Sequence, residues 1–216
     1  MRRTLEEFEA EGLTPAEERL RDECWTGEDI VISETRPDED HRPEVTIRAE
    51  FLRFVIVHGH GLPKPVHEKG VQIVGARITG VLDLEGVSTE RDIALVRCVI
   101  EETPILRSAS LRNLLLNRSQ IPGLVADRLD AKGSVFLRGA HVTGEVRLLG
   151  AKLGGYLECD GGTFTAGESG KAISADGLEA QGYVFLRGAQ VRGEVRLPGA
   201  KLGGYLECDG GTFTAG

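Results

Sequence analysis

The sequence predicts a mainly β protein, a single-stranded, four-sided β-solenoid with about 22 residues per coil built from 11-residue units, closed at its N-terminal end by a small α-helical cap. Three observations predict it. The stretch Gly139 to Gly167, GAHVTGEVRLLGAKLGGYLECDGGTFTAG, returns at Gly188 to Gly216 with only His141/Gln190, Thr143/Arg192 and Leu149/Pro198 changed. Within each copy a shorter beat recurs every eleven residues, GAHVTGEVRLL being followed by GAKLGGYLECD and then by GGTF. Inside each unit apolar side chains alternate, Val146 with Leu148 and Leu157 with Cys159, which is the period of a strand and not of a helix.

Read as columns, the unit is small, small, any, apolar, any, Gly, any, apolar, any, apolar, any. GARITGVLDLE at 75 fits it cleanly. GVSTERDIALV, RCVIEETPILR, SASLRNLLLNR and the ten-residue variants SQIPGLVADR and LDAKGSVFLR fit it loosely, so the pattern covers about two-thirds of the chain. Each unit supplies two short strands and two corners. Gly144, Gly155 and Gly193 fall between the apolar pairs, where a turning chain is expected to need φ values that Gly adopts at little cost. Two units then close a coil with Ala140, Val142, Val146 and Leu148 inward and Glu145 and Arg147 outward. Stacked at the strand spacing of about 4.8 Å, six or seven such coils make a rod of roughly 30 Å. The small second residue follows from the narrow coil, which has no room for two large side chains at adjacent inward points.

The head comes first in the chain. Thr4-Leu5-Glu6-Glu7 has capping-box form, and Thr14-Pro15-Ala16-Glu17 repeats it with Pro at the first helical position, so two short helices are expected to start near residues 5 and 15. The second carries Leu20, with Trp25 a candidate for the same side, and stops at Gly27. Ser33 to Arg42, rich in Asp and Glu, reads as a loop. Glu44 to His58 reads as a third helix whose apolar face, with Val45, Ile47, Phe51, Leu52, Phe54 and Val55, covers the open edge of the first coil; its β-branched content leaves a strand as the alternative. Gly59 to Lys69, with Pro63 and Pro65, connects head to rod. The chain thus divides into an acidic helical cap and linker, 1–69, and a solenoid domain, 70–216.

Two irregularities follow from the repeat. The duplicates lie 49 residues apart, about five more than two 22-residue coils, so a loop is expected to leave the rod around Glu168-Ser169-Gly170-Lys171. The sequence stops at Gly216 in mid-unit. Either further residues follow, or the last coil is open and can stack on another copy, and the two interchangeable 29-residue segments offer a route to swapping between chains.

ARITG, AHVTG, AKLGG and AQVRG resemble the A-x-[LF]-x-G unit of pentapeptide-repeat proteins, whose four-sided β-helices are right-handed; the resemblance implies a right-handed coil here. The six-residue side interposed between these units, VLDLEG or EVRLLG, implies a wider coil than that family's. The whole chain is similar to a group of actinobacterial solenoid proteins in which a short acidic helical head ending in R-A-E-F-L-R precedes many such units, and Arg48 to Arg53 matches that segment. Members of the group are labelled membrane-associated oxidoreductases and the longer ones continue into a hydrophobic C-terminal region. The resemblance therefore implies cofactor-dependent redox chemistry, with membrane association through such a region, and it favours further residues beyond 216.

Composition narrows the function classes. The net charge of −8 sits in the head: residues 1–70 carry 17 acidic and 10 basic side chains, residues 71–216 carry 17 and 16. A near-neutral rod in a chain only 5% aromatic argues against direct nucleic-acid binding. It also gives little support to a rod that mimics anionic DNA and occupies a topoisomerase. Met1-Arg2-Arg3 runs into Glu6, Glu7 and Glu9 with no apolar core, and the longest apolar stretch of the head is Phe54 to Val57, so the visible chain reads as cytoplasmic. Cys24, Cys98, Cys159 and Cys208 have no metal or redox spacing and read as structural.

His58-Gly59-His60 with His67 and Glu68 matches no specific zinc pattern. Ala166 to Ala172 resembles a phosphate loop superficially, but Thr165 stands where the first Gly is required and Ala follows Lys171. No G-x-G-x-x-G or G-x-S-x-G occurs. The residues thus assign no catalytic, cofactor or metal set. They point to a non-enzymatic scaffold or protein-interaction module, its partner expected along Arg138, Arg147, Arg187 and Arg196 and the bulge with Glu168 and Lys171. The cofactor-dependent oxidoreductase and the DNA mimic are the alternatives.

Overall fold

A computed structural model describes residues 3–39, 41–57 and 59–215. Every strand pairing is parallel, and four sheets run side by side along a solenoid of about seven turns. Face one runs from Gly70–Val74 and Asp92–Val96 to Leu206–Glu207, and face two from Arg77–Thr79 to Thr212–Thr214. Face three holds Leu124–Val125, Val146–Arg147, Lys171–Ser174 and Glu194–Arg196. Face four runs from Ser110–Leu111 to Lys201–Leu202.

The register gives the coil length directly. Val71 pairs with Ile93, Val135 with Leu157 and Val184 with Leu206, each a step of 22. Ser110 pairs with Asp130, a step of 20, because the corner residues Ser108, Arg118 and Arg128 stand ten apart; the ten-residue units are thus 108–117 and 118–127, and not the 119–128 and 129–138 expected from the sequence. Leu157 pairs with Val184, a step of 27, so the five surplus residues leave the rod in this coil. They do so between Thr163–Thr165 and Lys171–Ser174, where the ladder to the next coil shifts register between Lys171 and Ile173.

The inward columns are as expected. Ala140, Val142, Val146 and Leu148 are at most 1% exposed. Cys98 and Ser119 take the Ala position in two coils, and the buried Ser119 hydroxyl donates to Leu95 O at 2.7 Å while accepting from Cys98 N at 2.9 Å. That satisfies a polar group which the core would otherwise penalise.

The corner glycines require a correction. Left-handed φ falls on the first residue of the unit, as at Gly139 (61°) and Gly161 (62°), and not on Gly144 or Gly155. Those two are needed for close approach between coils. A Cβ on Gly144 would lie 2.2 Å from Pro122 O, and one on the adjacent Gly154 2.0 Å from Lys132 O. Only Gly193 among the three named corner residues has positive φ, at 126°.

At the N-terminal end, α1 (Leu5–Glu11) and α2 (Pro15–Glu23) both carry complete capping boxes, Thr4 with Glu7 and Thr14 with Glu17. Leu20 is buried, but α2 ends at Glu23 and Trp25 is 40% exposed, its Nε1 donating to Asp22 O. The expected third helix is split. Thr46–Arg48 is a strand, and α3 spans Ala49–Val57. Extended Thr46-Ile47-Arg48 pairs with Arg77-Ile78-Thr79, as Ile30–Val31 pairs with Ile73–Val74, so the first coil's edge is satisfied by backbone as well as by an apolar helix face. Phe51, Leu52, Phe54 and Val55 of α3 join one continuous core with the rod, and Phe8 of α1 meets Phe51 edge-on at 5.2 Å.

The R-A-E-F-L-R segment is the latch of this cap. Arg48 grips the fully buried Glu17 through its backbone N (2.8 Å), Nε (2.8 Å) and Nη2 (2.7 Å). Glu50 pairs with Arg3 at 2.9 Å, and Arg53 Nε donates to Asp83 O in the first coil at 2.6 Å.

Two outcomes are expected in urea unfolding. Gly154→Ala, which forces a Cβ against backbone, loses about 3 kcal/mol or more, whereas Gly161→Ala, strained only by its φ in open space, loses about 1–2 kcal/mol. Arg48→Met leaves the Glu17 carboxylate buried without its counter-charge and loses about 3–5 kcal/mol.

Candidate interaction surface

The outward arginines are bound into ladders that run between coils. Arg147 Nη2 meets Asp127 at 2.7 Å, Arg196 Nη2 meets Asp176 at 3.0 Å, Arg187 Nη2 meets Asp160 at 2.5 Å, and Arg138 Nε meets Glu158 at 3.2 Å. The hydrogen bonds that Arg187 and Arg196 donate to Asp160 and Asp176 raise the pKa values of both arginines. The residues form two groups. Arg138 and Arg187 follow the face-one strands, at the corner with face two, while Arg147 and Arg196 lie on face three with Ser174 paired between them.

The bulge adjoins the second group. Glu168 is exposed, Ser169 Oγ donates to Glu145 at 3.2 Å, and Lys171 opens the face-three strand opposite Glu194. The phosphate-loop-like segment Ala166 to Ala172 therefore leads into a strand and offers no helix terminus to a phosphate. Arg147, Arg196, Lys171 and Glu168 are brought to one side of the rod, and Arg138 and Arg187 to another.

A feature not read from the sequence lies on face one. All three tyrosines, Tyr156, Tyr183 and Tyr205, stand outward on successive coils with Phe185 beside them, while Phe136 lies one coil earlier in register with Glu158. Tyr183 stacks on Phe185 at 5.3 Å with planes 8° apart, Tyr156 lies 6.1 Å and Tyr205 5.8 Å from Tyr183, and the Arg187 guanidinium covers Phe185 at 4.3 Å. Tyr156 is 42% and Tyr205 72% exposed. The glycines before Tyr183 and Tyr205 make room for the ring one coil back: a Cβ on Gly182 would meet the Tyr156 ring at 2.5 Å and one on Gly204 the Tyr183 ring at 2.7 Å. The signal was present in the columns, since each tyrosine holds the seventh position of its unit.

The thiols are held protonated. Burial pushes Cys24 up to about 11 and Cys98 up to about 12, and pushes Cys159 higher still, while Cys208 is only partly buried and less shifted. Such thiols are poor nucleophiles and poor metal ligands. Of the histidine cluster, His58 lies outside the described residues, and His67 Nδ1 accepts from Lys69 N at 3.1 Å. Among the described residues no group of three His, Cys, Asp or Glu is placed to hold a metal ion, and no helix is long and apolar enough to cross a membrane.

Comparison with protein-family models, with curated proteins and with solved structures finds no match to this chain.

Ellman's reagent at pH 8 is expected to leave Cys24, Cys98 and Cys159 unreacted in the folded protein and to titrate all three in denaturant.

Proposed function

We propose that this chain is a non-enzymatic repeat scaffold that acts in the cytoplasm and docks a protein partner on face one. The observation that carries the reading is the outward strip of Tyr156, Tyr183, Tyr205 and Phe185, with Arg138 and Arg187 at its edge. Large, stiff aromatic rings beside arginine are the composition of interface hot spots, because they bury much area for little loss of rotamer freedom. The outer sides of faces three and four carry charged pairs instead, such as Arg196 with Asp176 and Lys201 with Glu179 at 2.8 Å. Exposed pairs of that kind contribute little to binding. A rigid ladder holds the strip in place before any partner arrives, which keeps the ordering cost of docking small.

The test is retention of proteins from a cell extract on three immobilised forms: wild type, Tyr156→Ser/Tyr183→Ser, and the face-four control Lys152→Ser/Lys201→Ser, each checked for fold by circular dichroism. Wild type and control are expected to retain the same partner, with affinity falling about 100-fold or more in the tyrosine variant. Equal retention by all three forms overturns the proposal. The mass of wild type alone in solution separates a foreign partner from a second copy, and an absorption band above that of the aromatic residues in the purified protein favours the oxidoreductase alternative.

A further inference from the structure

We propose that the corner between faces one and two binds the phosphate group of a small phosphomonoester or diphosphate, in a groove of about 610 Å³ whose lining includes Arg97, Asn117, Arg118 and Arg138, with Asp160 as its one carboxylate. The first residue of each unit turns a corner with left-handed φ, and in most units it is Gly. Four units place another residue there: Arg97 (52°), Ser108 (54°), Arg118 (57°) and Arg128 (55°). An L side chain in this conformation costs free energy that Gly avoids, so its presence calls for a return elsewhere.

Ser108 and Arg128 find theirs in each other. They sit at the corner between faces three and four, where Arg128 Nε donates to Ser108 Oγ at 3.1 Å. Arg97 and Arg118, stacked on adjacent coils at the other corner, have no such return. The Arg118 guanidinium meets no acceptor among the described residues, and its carbonyl instead accepts from Arg36 Nη1 at 3.4 Å. Arg97 comes no nearer than 4.0 Å to a carboxylate, that of the 86% exposed Glu34, and its Nε is buried without a hydrogen-bond partner. Elsewhere on the rod Arg107, Arg112, Arg147, Arg187 and Arg196 each reach a carboxylate of the preceding coil.

The acidic groups facing the groove are already engaged, Asp160 by Arg187 and Glu158 by Arg138. Asn117 Oδ1 accepts from Arg138 N at 2.9 Å, which leaves its Nδ2 as a further donor. The corner therefore gathers the unpaired Arg118 fork, the Arg97 fork with its one 4.0 Å contact to an exposed carboxylate, and an amide donor, a set that matches the geometry of a phosphate dianion. Two like charges on adjacent coils, one without a carboxylate among the described residues and one with only a distant and exposed one, repel one another, and an anion between them relieves that repulsion. The site borders the aromatic strip through Arg138, but it stands on Arg97 and Arg118 and does not depend on the rings.

Thermal unfolding and calorimetric titration with inorganic phosphate and pyrophosphate, against chloride at matched ionic strength, test the site. In wild type, millimolar pyrophosphate is expected to raise the melting temperature. Arg118→Gly restores the residue that most units use, so the ligand-free protein keeps or gains stability, while pyrophosphate binding weakens about tenfold or more and its stabilisation disappears. Arg97→Gly behaves alike, and Arg128→Gly, at the opposite corner, binds as wild type does. The proposal is overturned if neither anion stabilises wild type beyond chloride, or if Arg118→Gly and Arg97→Gly keep the full effect.

Discussion

Each coil of this protein must sit one hydrogen-bond length from the next along all four faces, and that single distance governs the rest of the structure. Leu148 N reaches Ser174 O at 2.7 Å on one face and Lys152 N reaches Leu129 O at 2.7 Å on another, so nearly every turn of backbone has another above and below it. Where the backbones approach most closely, no Cβ is tolerated, hence Gly144 and Gly154. Where side chains converge inside, the second residue of the unit is small. Outside, the same distance places Arg147 beside Asp127 and Arg196 beside Asp176, one coil apart. Core, corner and surface are three readings of one ladder.

The constraint also explains what the rod tolerates. Coils of 20 and 22 residues stack without offset because the missing residues come from corners, where no ladder bond is lost. The coil of 27 keeps Leu157 on Val184 and Phe164 on Val191 by expelling its surplus between two strands. At the first coil the ladder must end, and the cap ends it on two faces with strands of its own before α3 closes over the interior.

Much of this was legible in the sequence because repetition makes columns visible. The alternation of Val146 and Leu148, the small second residue and the five surplus residues are properties of the column, and each appears in the fold. The division of labour among the glycines was not legible. A glycine needed for left-handed φ and one needed for the absence of a Cβ look identical in a sequence, and only the distance from Gly144 to Pro122 O tells them apart. Thr46 to Arg48 was ambiguous for a related reason, since β-branched residues before an apolar helix become a strand only if an open edge lies beside them. The carboxylate partners of the outward arginines lie 20 to 27 residues away, a distance that has no meaning until the coil length is known.

The same column logic separates the two surfaces on which function is placed. A residue that recurs in every unit serves the ladder. One that breaks its column is free of that duty, and the departures here are not scattered. Aromatic rings at the seventh position gather on face one, and arginines at a glycine position gather at the corner beside it. The rings are accommodated by Gly182 and Gly204 of the next coil, so the ladder bears them without strain. The arginines are less well accommodated, because both keep an unfavourable φ, Arg118 has no carboxylate among the described residues and Arg97 only the exposed one of Glu34 at 4.0 Å, with its Nε left without a partner. A column departure that the fold accommodates suits a surface that presents area to a partner, and one that the fold leaves strained and unpaired suits a site whose missing interaction a ligand supplies.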